Sequence, residues 1–380
     1  MLIGIDASRA FVKNRTGIEE YSYQVIKNLR DKLNGHEVIL YSRNSKLATY
    51  NSRRYLGDIE LPKKWSVKTI KIPCLWTQLG LSLEMLFCSP DVLFIPAHTV
   101  PIIHPKNTIV VIHGLEYEFY PEAYSRWERF YMRRVIKNSC RWAKTIIAVS
   151  KNTKRDLMKL YKVPEEKIKV VYEGYDYNFQ GGKKLKLKNL KFNSNFKFQI
   201  SNLPYLLFIG RLEKRKNVIG IIKAFEILKE KYNIPHKLIL AGGKGYGYES
   251  SKSKVQSSKH KKDIVLTGFV SEEKKWELLK NADVFLFPTF YEGFGLPILE
   301  AQSTGTPVVA GDNSSIPEIA GSALLVNPHN PKEIAEAAYK LISDKDLRND
   351  IIEKGYENAK RFSWEKCAGS IAELLTDKMK

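Results

Sequence analysis

Apolar and polar positions alternate along the chain in two series. In the first half, short apolar runs at 2–6, 37–41, 66–72, 91–95, 107–112, 145–149 and 168–172 read as strands. Segments near 18–33, 75–87, 122–142 and 152–161 read as helices, the last capped by Ser150 or Asn152. From Tyr205 the alternation resumes, with strands at 205–209, 237–241, 263–267, 284–287 and 308–310. Helices are predicted from Val218, from Pro297 to about Thr304, and at 331–343 and 345–361, with a final one, capped at Ser363, to about Leu375. This pattern predicts an α/β protein built on doubly wound parallel sheets. In such sheets ligands gather beyond the carboxyl ends of strands, so the residues just after each strand come first as site candidates.

Residues 181–202 break the pattern: they are rich in lysine and asparagine, lack periodicity and read as a basic linker. The expected domains are then 1–180 and 203–361. The lysine- and serine-rich stretch 246–262 is likewise aperiodic and reads as a surface loop. A length of 380 residues fits two domains of about 150–200 residues, and 43% hydrophobic residues suffice for two cores. The nearest approach to a membrane span, Leu75 to Pro96, is interrupted by Glu84, Pro90 and Asp91. Met1 leads directly into a strand, so no signal peptide is expected. Cys74, Cys88, Cys140 and Cys367 are scattered without a C-x2-C pair, which argues against a metal site or disulfide framework and fits a reducing cytoplasm.

The stretch from Asp283 to Asp312, DVFLFPTFYEGFGLPILEAQSTGTPVVAGD, carries the densest chemistry. It reads as buried strand, glycine turn, helix and second strand, with Pro297 at the first helical position and Gly305 as the stop. The amides of Gly293, Phe294, Gly295 and Leu296 at a helix start would suit an anion. No Walker lysine and no G-x-G-x-x-G is present. Two acids, Glu292 in the turn and Glu300 in the helix, accompany the anion site, and carboxylates accept hydroxyl hydrogen bonds well. A ligand bearing both phosphate and hydroxyls, such as a nucleotide sugar, fits this combination.

Glu292 and Glu300, with Gly293-Phe294-Gly295-Leu296-Pro297 between them, resemble the Glu-x7-Glu signature of the retaining glycosyltransferases of family 4, the group 1 transferases. The resemblance covers nearly the whole chain and is strongest over 204–330. It implies a GT-B architecture: two Rossmann-like domains facing a central cleft, acceptor mainly in the first, donor in the second, and the helix at about 362–380 packing back on the first. It also implies hexosyl transfer with retention from a nucleotide diphosphate sugar to a glycan or lipid-linked acceptor, without a metal or other cofactor. By the same resemblance, Glu300 holds ribose hydroxyls and Glu292 reaches the sugar.

Other post-strand residues gain meaning from this. Gly17 could bring amides to a phosphate or simply start a helix; the resemblance places a glycine loop here, facing the donor diphosphate. His113 ends a strand, where a lone histidine is more often structural; the family match makes it a catalytic candidate. In the family an aspartate usually follows this histidine; Gly114 replaces it here and Glu116 lies two further on. Gly210-Arg211-Leu212-Glu213-Lys214-Arg215-Lys216-Asn217 matches the motif G-R-x4-K-N, in which Arg211 and Lys216 meet the donor phosphates. Lys214 and Arg215 read equally well as a solvated basic loop. Val270 lies in a segment whose backbone faces the base in the family.

A formal net charge of +21 raises a nucleic-acid-binding alternative, but the lysines lie in linker and surface loops and no nucleic-acid-reading motif accompanies them. A nucleotide-sugar 2-epimerase of the same fold is the other alternative. On the helix after Pro121, Arg126, Arg129, Arg133, Lys137, Arg141 and Lys144 form one basic stripe without an acid. That stripe suggests peripheral association with an anionic membrane surface, hence a location in the cytoplasm at the inner face of the cell membrane.

Overall fold

The computed structural model describes residues 1–12, 15, 17–43, 55–56, 59–72, 75–175 and 203–377; the predicted basic linker at 181–202 lies outside them. Two compact units are present. The first comprises Met1–Glu118, Tyr124–Gly174 and Phe362–Lys380, the second Phe119–Ala123 and Tyr175–Arg361.

In the first unit the chain forms β1 (Leu2–Asp6), α1 (Gly17–Lys32), β2 (Glu37–Ser42), β3 (Tyr55–Leu56), β4 (Ile59–Glu60) and β5 (Trp65–Thr69). A π-helical stretch, Trp76–Leu81, runs into α2 (Ser82–Phe87), followed by β6 (Val92–Ile95), β7 (Thr108–Ile112) and α3 (Glu116–Phe119). Then come α4 (Arg126–Trp142), β8 (Thr145–Ala148), α5 (Lys151–Tyr161) and β9 (Ile168–Val170). Seven strands make one parallel sheet in the order β5-β2-β1-β6-β7-β8-β9, and β3 and β4 pair separately as an antiparallel ribbon. Strands β6 and β7 are buried at every position, which is why they read as unbroken apolar runs.

The second unit contains β10 (Tyr205–Ile209), α6 (Val218–Tyr232), β11 (Lys237–Ala241), α7 (Tyr248–Ser257), β12 (Ile264–Gly268), α8 (Glu272–Asn281) and β13 (Val284–Phe287). It continues with α9 (Leu296–Ser303), β14 (Val308–Gly311), α10 (Ile316–Ala320), β15 (Leu324–Val326), α11 (Pro331–Ser343) and α12 (Lys345–Ala359). Its six-stranded parallel sheet has the order β12-β11-β10-β13-β14-β15. The last helix, α13 (Trp364–Thr376), belongs to the first unit, where Trp364 meets Tyr21 of α1 edge-on at 5.8 Å between ring centroids. Gly174 passes so close to this helix start that a Cβ there would sit 2.0 Å from the Trp364 nitrogen. Only glycine allows that approach.

Three local readings change. The 246–262 stretch is not a loop: α7 packs on α6 through the buried pair Ser251 and Val255, with Lys254 paired to Glu226 at 2.7 Å. A one-serine, one-valine stripe is too narrow to register as periodicity. The helix expected from 122 starts at Arg126, because Ser125 and Glu128 form a reciprocal capping box. The helix expected over 75–87 is π-helical as far as Leu81. Elements α8, α10 and β15 were not anticipated.

Candidate functional site

At the carboxyl edge of the second sheet, glycines let the post-strand loops lie against one another. The Gly210 amide donates to Ala241 O at 2.9 Å, and the Gly242 amide to Gly268 O at 2.9 Å. A Cβ on Gly242 would lie 1.9 Å from Gly210 O, so the two loops touch backbone to backbone. The loop after β10 then turns through Lys214–Lys216 into α6, with Asn217 in the left-handed region. Asn217 fixes that turn by donating to Pro288 O at 2.9 Å and Pro328 O at 2.6 Å.

This anchoring places Lys216 beside the turn after β13. Its Nζ lies 2.5 Å from Glu292 Oε1, and Arg215 Nη1 lies 3.4 Å from Glu292 Oε2. Arg215 also donates to Tyr291 O and Glu213, each at 2.7 Å, so it is not the solvated residue that the sequence allowed. The Glu292 amide donates to Ser314 Oγ at 3.0 Å, while Ser315 Oγ donates to the carbonyls of Glu292 at 2.9 Å and Phe294 at 2.8 Å. Burial pushes the Glu292 carboxyl up, but Lys216 and Arg215 outweigh it and hold the pKa below the usual carboxylate range. Burial pulls the Lys216 ammonium down, against the attraction of Glu292.

The other predicted donor-site residues occupy varied settings. Arg211 is exposed, and its guanidinium has no carboxylate partner among the described residues. Gly295, at φ 114°, is the left-handed residue before α9, and the Phe294 ring is buried, so these two can offer a ligand only backbone. Gly293 and Leu296 are half-buried on either side. Glu300 is paired at 2.7 Å with Lys275 of α8, which also holds Glu272 at 2.8 Å. Val270, half-buried, packs against the core after β12. Structure thus joins Lys216 to Glu292 directly and gives Glu300 a separate cation.

In the first unit, His113 follows β7 with its Nδ1 3.1 Å from Glu173 Oε1 and its Nε2 2.9 Å from Pro96 O. A neutral ring can donate to only one of them. The acid facing His113 is therefore Glu173, just beyond β9, and not Glu116, which opens α3. Gly17 is the exposed first residue of α1, and a Cβ there would meet nothing within 4 Å, so packing does not require glycine. Sequence reasoning missed Glu173, Arg215 and Lys275. The first was findable as a post-strand acid; the other two needed the packing of loops and helices.

The basic stripe of α4 also needs correction. Glu118 of α3, its side chain 9% exposed, takes Arg133 Nε at 2.6 Å and Arg133 Nη2 on its other oxygen, with Arg129 Nη2 at 3.9 Å. Two of the six cations thus share one acid from a neighbouring element, which offsets one of their two charges. Arg126, Lys137, Arg141 and Lys144 have no ion-pair partner among the described residues.

Two family profiles cover most of the sequence: "Glycosyltransferase Family 4" matches residues 15–179 and "Glycosyl transferases group 1" matches residues 191–358. O-antigen chain mannosyltransferase B of Escherichia coli is 30% identical over 264 residues, 69% of this chain and 68% of that protein. The chain belongs to the group 1, family 4 glycosyltransferases. O-antigen chain mannosyltransferase RfbU of Salmonella typhimurium is 26% identical over 362 residues, 92% of this chain and 95% of that one. Among solved structures, Anabaena HepE in complex with UDP and glucose superposes with a TM-score of 0.72 at 19% identity, covering 100% and 99% of the two chains. WaaG, a glycosyltransferase involved in lipopolysaccharide biosynthesis, gives 0.71 at 15% identity over 99% and 100%. The fold of this glycosyltransferase is GT-B, and the enzyme is a hexosyltransferase that uses a nucleotide sugar.

Proposed function

We propose that this enzyme moves a mannosyl unit, with retained configuration, from a nucleoside-diphosphate sugar to a growing envelope glycan or its lipid-linked precursor. The observation that carries the chemistry is the cluster of half-buried Lys216 and Arg215 around buried Glu292, the first acid of the Glu-x7-Glu segment, at the carboxyl edge of a parallel sheet. The relatives named above, two of them O-antigen mannosyltransferases, support the choice of sugar and acceptor class.

In this reading the bond from the anomeric carbon to the diphosphate breaks while the acceptor oxygen bonds to that carbon on the same face. The acceptor proton passes to the departing phosphate oxygen. Arg211, Lys216 and the amides of Gly293 to Leu296 meet the charge that grows on the leaving group, and such fixed charges act most strongly where water is excluded. Glu292 faces the sugar and Glu300 the ribose. His113, held by Glu173, orients the hexose hydroxyls, and Gly17 leaves an open amide for the diphosphate. The unpaired cations of α4, Arg126, Lys137 and Arg141, draw the enzyme to an anionic membrane surface. No described helix is long and apolar enough to cross a membrane.

Incubation with GDP-, UDP-, ADP- and dTDP-linked hexoses and a lipid-linked oligosaccharide acceptor tests this. Transfer from GDP-mannose alone, giving an α-linked product by NMR, is the expected result. Transfer of a different hexose would overturn the choice of sugar, and a β-linked product would overturn retention.

A further inference from the structure

The helix formed by Trp76–Leu81 and α2 is turned inside out. Its polar side chains point into the protein: Gln78 donates to Val100 O at 3.3 Å, Ser82 Oγ accepts from the Ile103 amide at 3.3 Å, and Glu84 pairs with Lys68 at 2.6 Å. Trp76, Leu81 and Met85 are buried as well. The outward face is then left to Leu75, Leu79, Leu83, Leu86 and Phe87, which are 48–83% exposed. A surface helix ordinarily turns its apolar stripe to the core and its polar residues to solvent; here the solvent side carries the apolar row instead.

The apolar surface continues beyond the helix. Ile102 and Ile103, both exposed, lie on the loop that Gln78 and Ser82 grip. The same loop is tied to α4 through Ser139 Oγ, which accepts from the Val100 amide at 2.9 Å, and through His104 against Trp142 at 5.7 Å. On that end of α4 stand Lys137 and Arg141, exposed and without ion-pair partners among the described residues, and Lys106 is exposed just past the loop. Farther along α4, Trp127, Phe130 and Tyr131 are exposed too. Isolated surface leucines are ordinary, but a run of exposed apolar residues along one helix and the loop it holds, with exposed cations on the helix that this loop is tied to, marks an interaction surface.

We infer that this face inserts into the interfacial layer of an anionic bilayer, with Leu79, Leu83, Leu86 and Phe87 among the acyl chains and Lys137 and Arg141 at the headgroups. Amphipathic surfaces bind in this way without spanning, and aromatic residues favour the same depth. Charge selects the bilayer over a second copy of this chain: with a net charge of +21, two such sets of cations repel each other, whereas an anionic surface attracts both. The inference deepens the proposed membrane location by adding an apolar component that salt does not screen, since screening acts on the charges alone.

Flotation of the full chain with vesicles of phosphatidylcholine and phosphatidylglycerol tests it, at low and at high salt. Wild type should lose part of its binding as salt rises and keep the rest. A variant with Leu79→Glu, Leu83→Glu and Phe87→Glu should lose the salt-resistant part, about tenfold in partition for each side chain withdrawn. A variant with Lys137→Ala and Arg141→Ala should lose only the salt-sensitive part. Circular dichroism and binding of a free nucleoside diphosphate should match wild type in both, which separates lost docking from lost folding. Salt-resistant flotation unchanged in the triple variant would overturn the inference. So would sedimentation showing a dimer that the triple variant dissolves. Absence of hexosyl transfer would overturn the enzymatic reading and leave these partition results standing.

Discussion

Glu118 and Glu292 sit in different units, yet each is a nearly buried carboxylate held by two cations. In both, burial pushes the carboxyl up and the cations overcome it, so both pKa values are lowered. They differ in what is left over. Arg133 closes its fork on both oxygens of Glu118, and the Tyr161 hydroxyl adds a third bond at 3.0 Å. Lys216 gives one of its three N–H donors to Glu292, so its ammonium retains capacity for a phosphate oxygen. Glu118 also lies between two helices, whereas Glu292 lies in a post-strand turn where parallel sheets bind ligands. A perturbed acid marks a site when its partners still have bonds to give and the topology brings a ligand to them; otherwise it marks a clamp.

The sharpest way to break this contrast is to remove one cation from each cluster. Lys216→Ala should lower kcat on the order of 10²–10³-fold, because in the proposed mechanism the charge it meets grows as the glycosidic bond breaks. Arg211→Ala should behave alike. Arg133→Ala should leave kcat for a soluble acceptor within about twofold, since its fork is spent on Glu118. Steady-state kinetics in which Lys216→Ala raises only KM would remove Lys216 from the transition state. An equal loss of kcat in Arg133→Ala would erase the distinction.

The clamp should show itself in stability instead. Removing a hydrogen-bonded charge from such a setting costs about 1–3 kcal/mol, so Glu118→Gln should lower the melting temperature while sparing turnover. Because the folded pKa of Glu118 is depressed, its contribution is complete above the ordinary value of 4.5 and is lost as pH falls through the lowered one. Melting temperature against pH should therefore flatten in Glu118→Gln on the acid side of 4.5. An unchanged acid limb would show that the cluster contributes nothing to folding.

What could be read beforehand follows the range of the interactions. Strands such as β7 and β13, buried on both faces, leave apolar runs that need no partner to be recognised. The segment from Glu292 to Glu300 is legible because turn, helix start and both acids are contiguous. The Glu118 clamp is not, since Arg133 and Tyr161 come from α4 and α5. From the sequence the six cations looked like a stripe without an acid, because the offsetting carboxylate stands on a different helix. Glu173 is visible as a post-strand acid, but its pairing with His113 is not, since nothing local links two residues sixty positions apart. The leucine face of α2 was visible only as near-continuous hydrophobicity, and which side lacked cover depended on where Gln78 and Ser82 pointed.

A smaller effect sharpens the comparison within the second unit, between Glu292 and Glu300. Lys275 pairs with Glu300 Oε1, and burial, which would lower this lysine's pKa, is outweighed by Glu300 and Glu272, so the ammonium stays firmly charged. Lys275 thereby holds the Glu300 side chain in place, and in the proposed role of accepting ribose hydroxyls Glu300→Gln should weaken binding of the free nucleoside diphosphate about tenfold. Glu292→Gln works in the opposite direction. It leaves Lys216 and Arg215 without their counter-charge, so nucleotide affinity should stay unchanged or tighten while transfer from the intact donor falls. Titration calorimetry with the free diphosphate separates the two. Equal losses of affinity in both variants would mean that the two acids share one task, and the division between a sugar-facing and a ribose-facing glutamate would have to be abandoned.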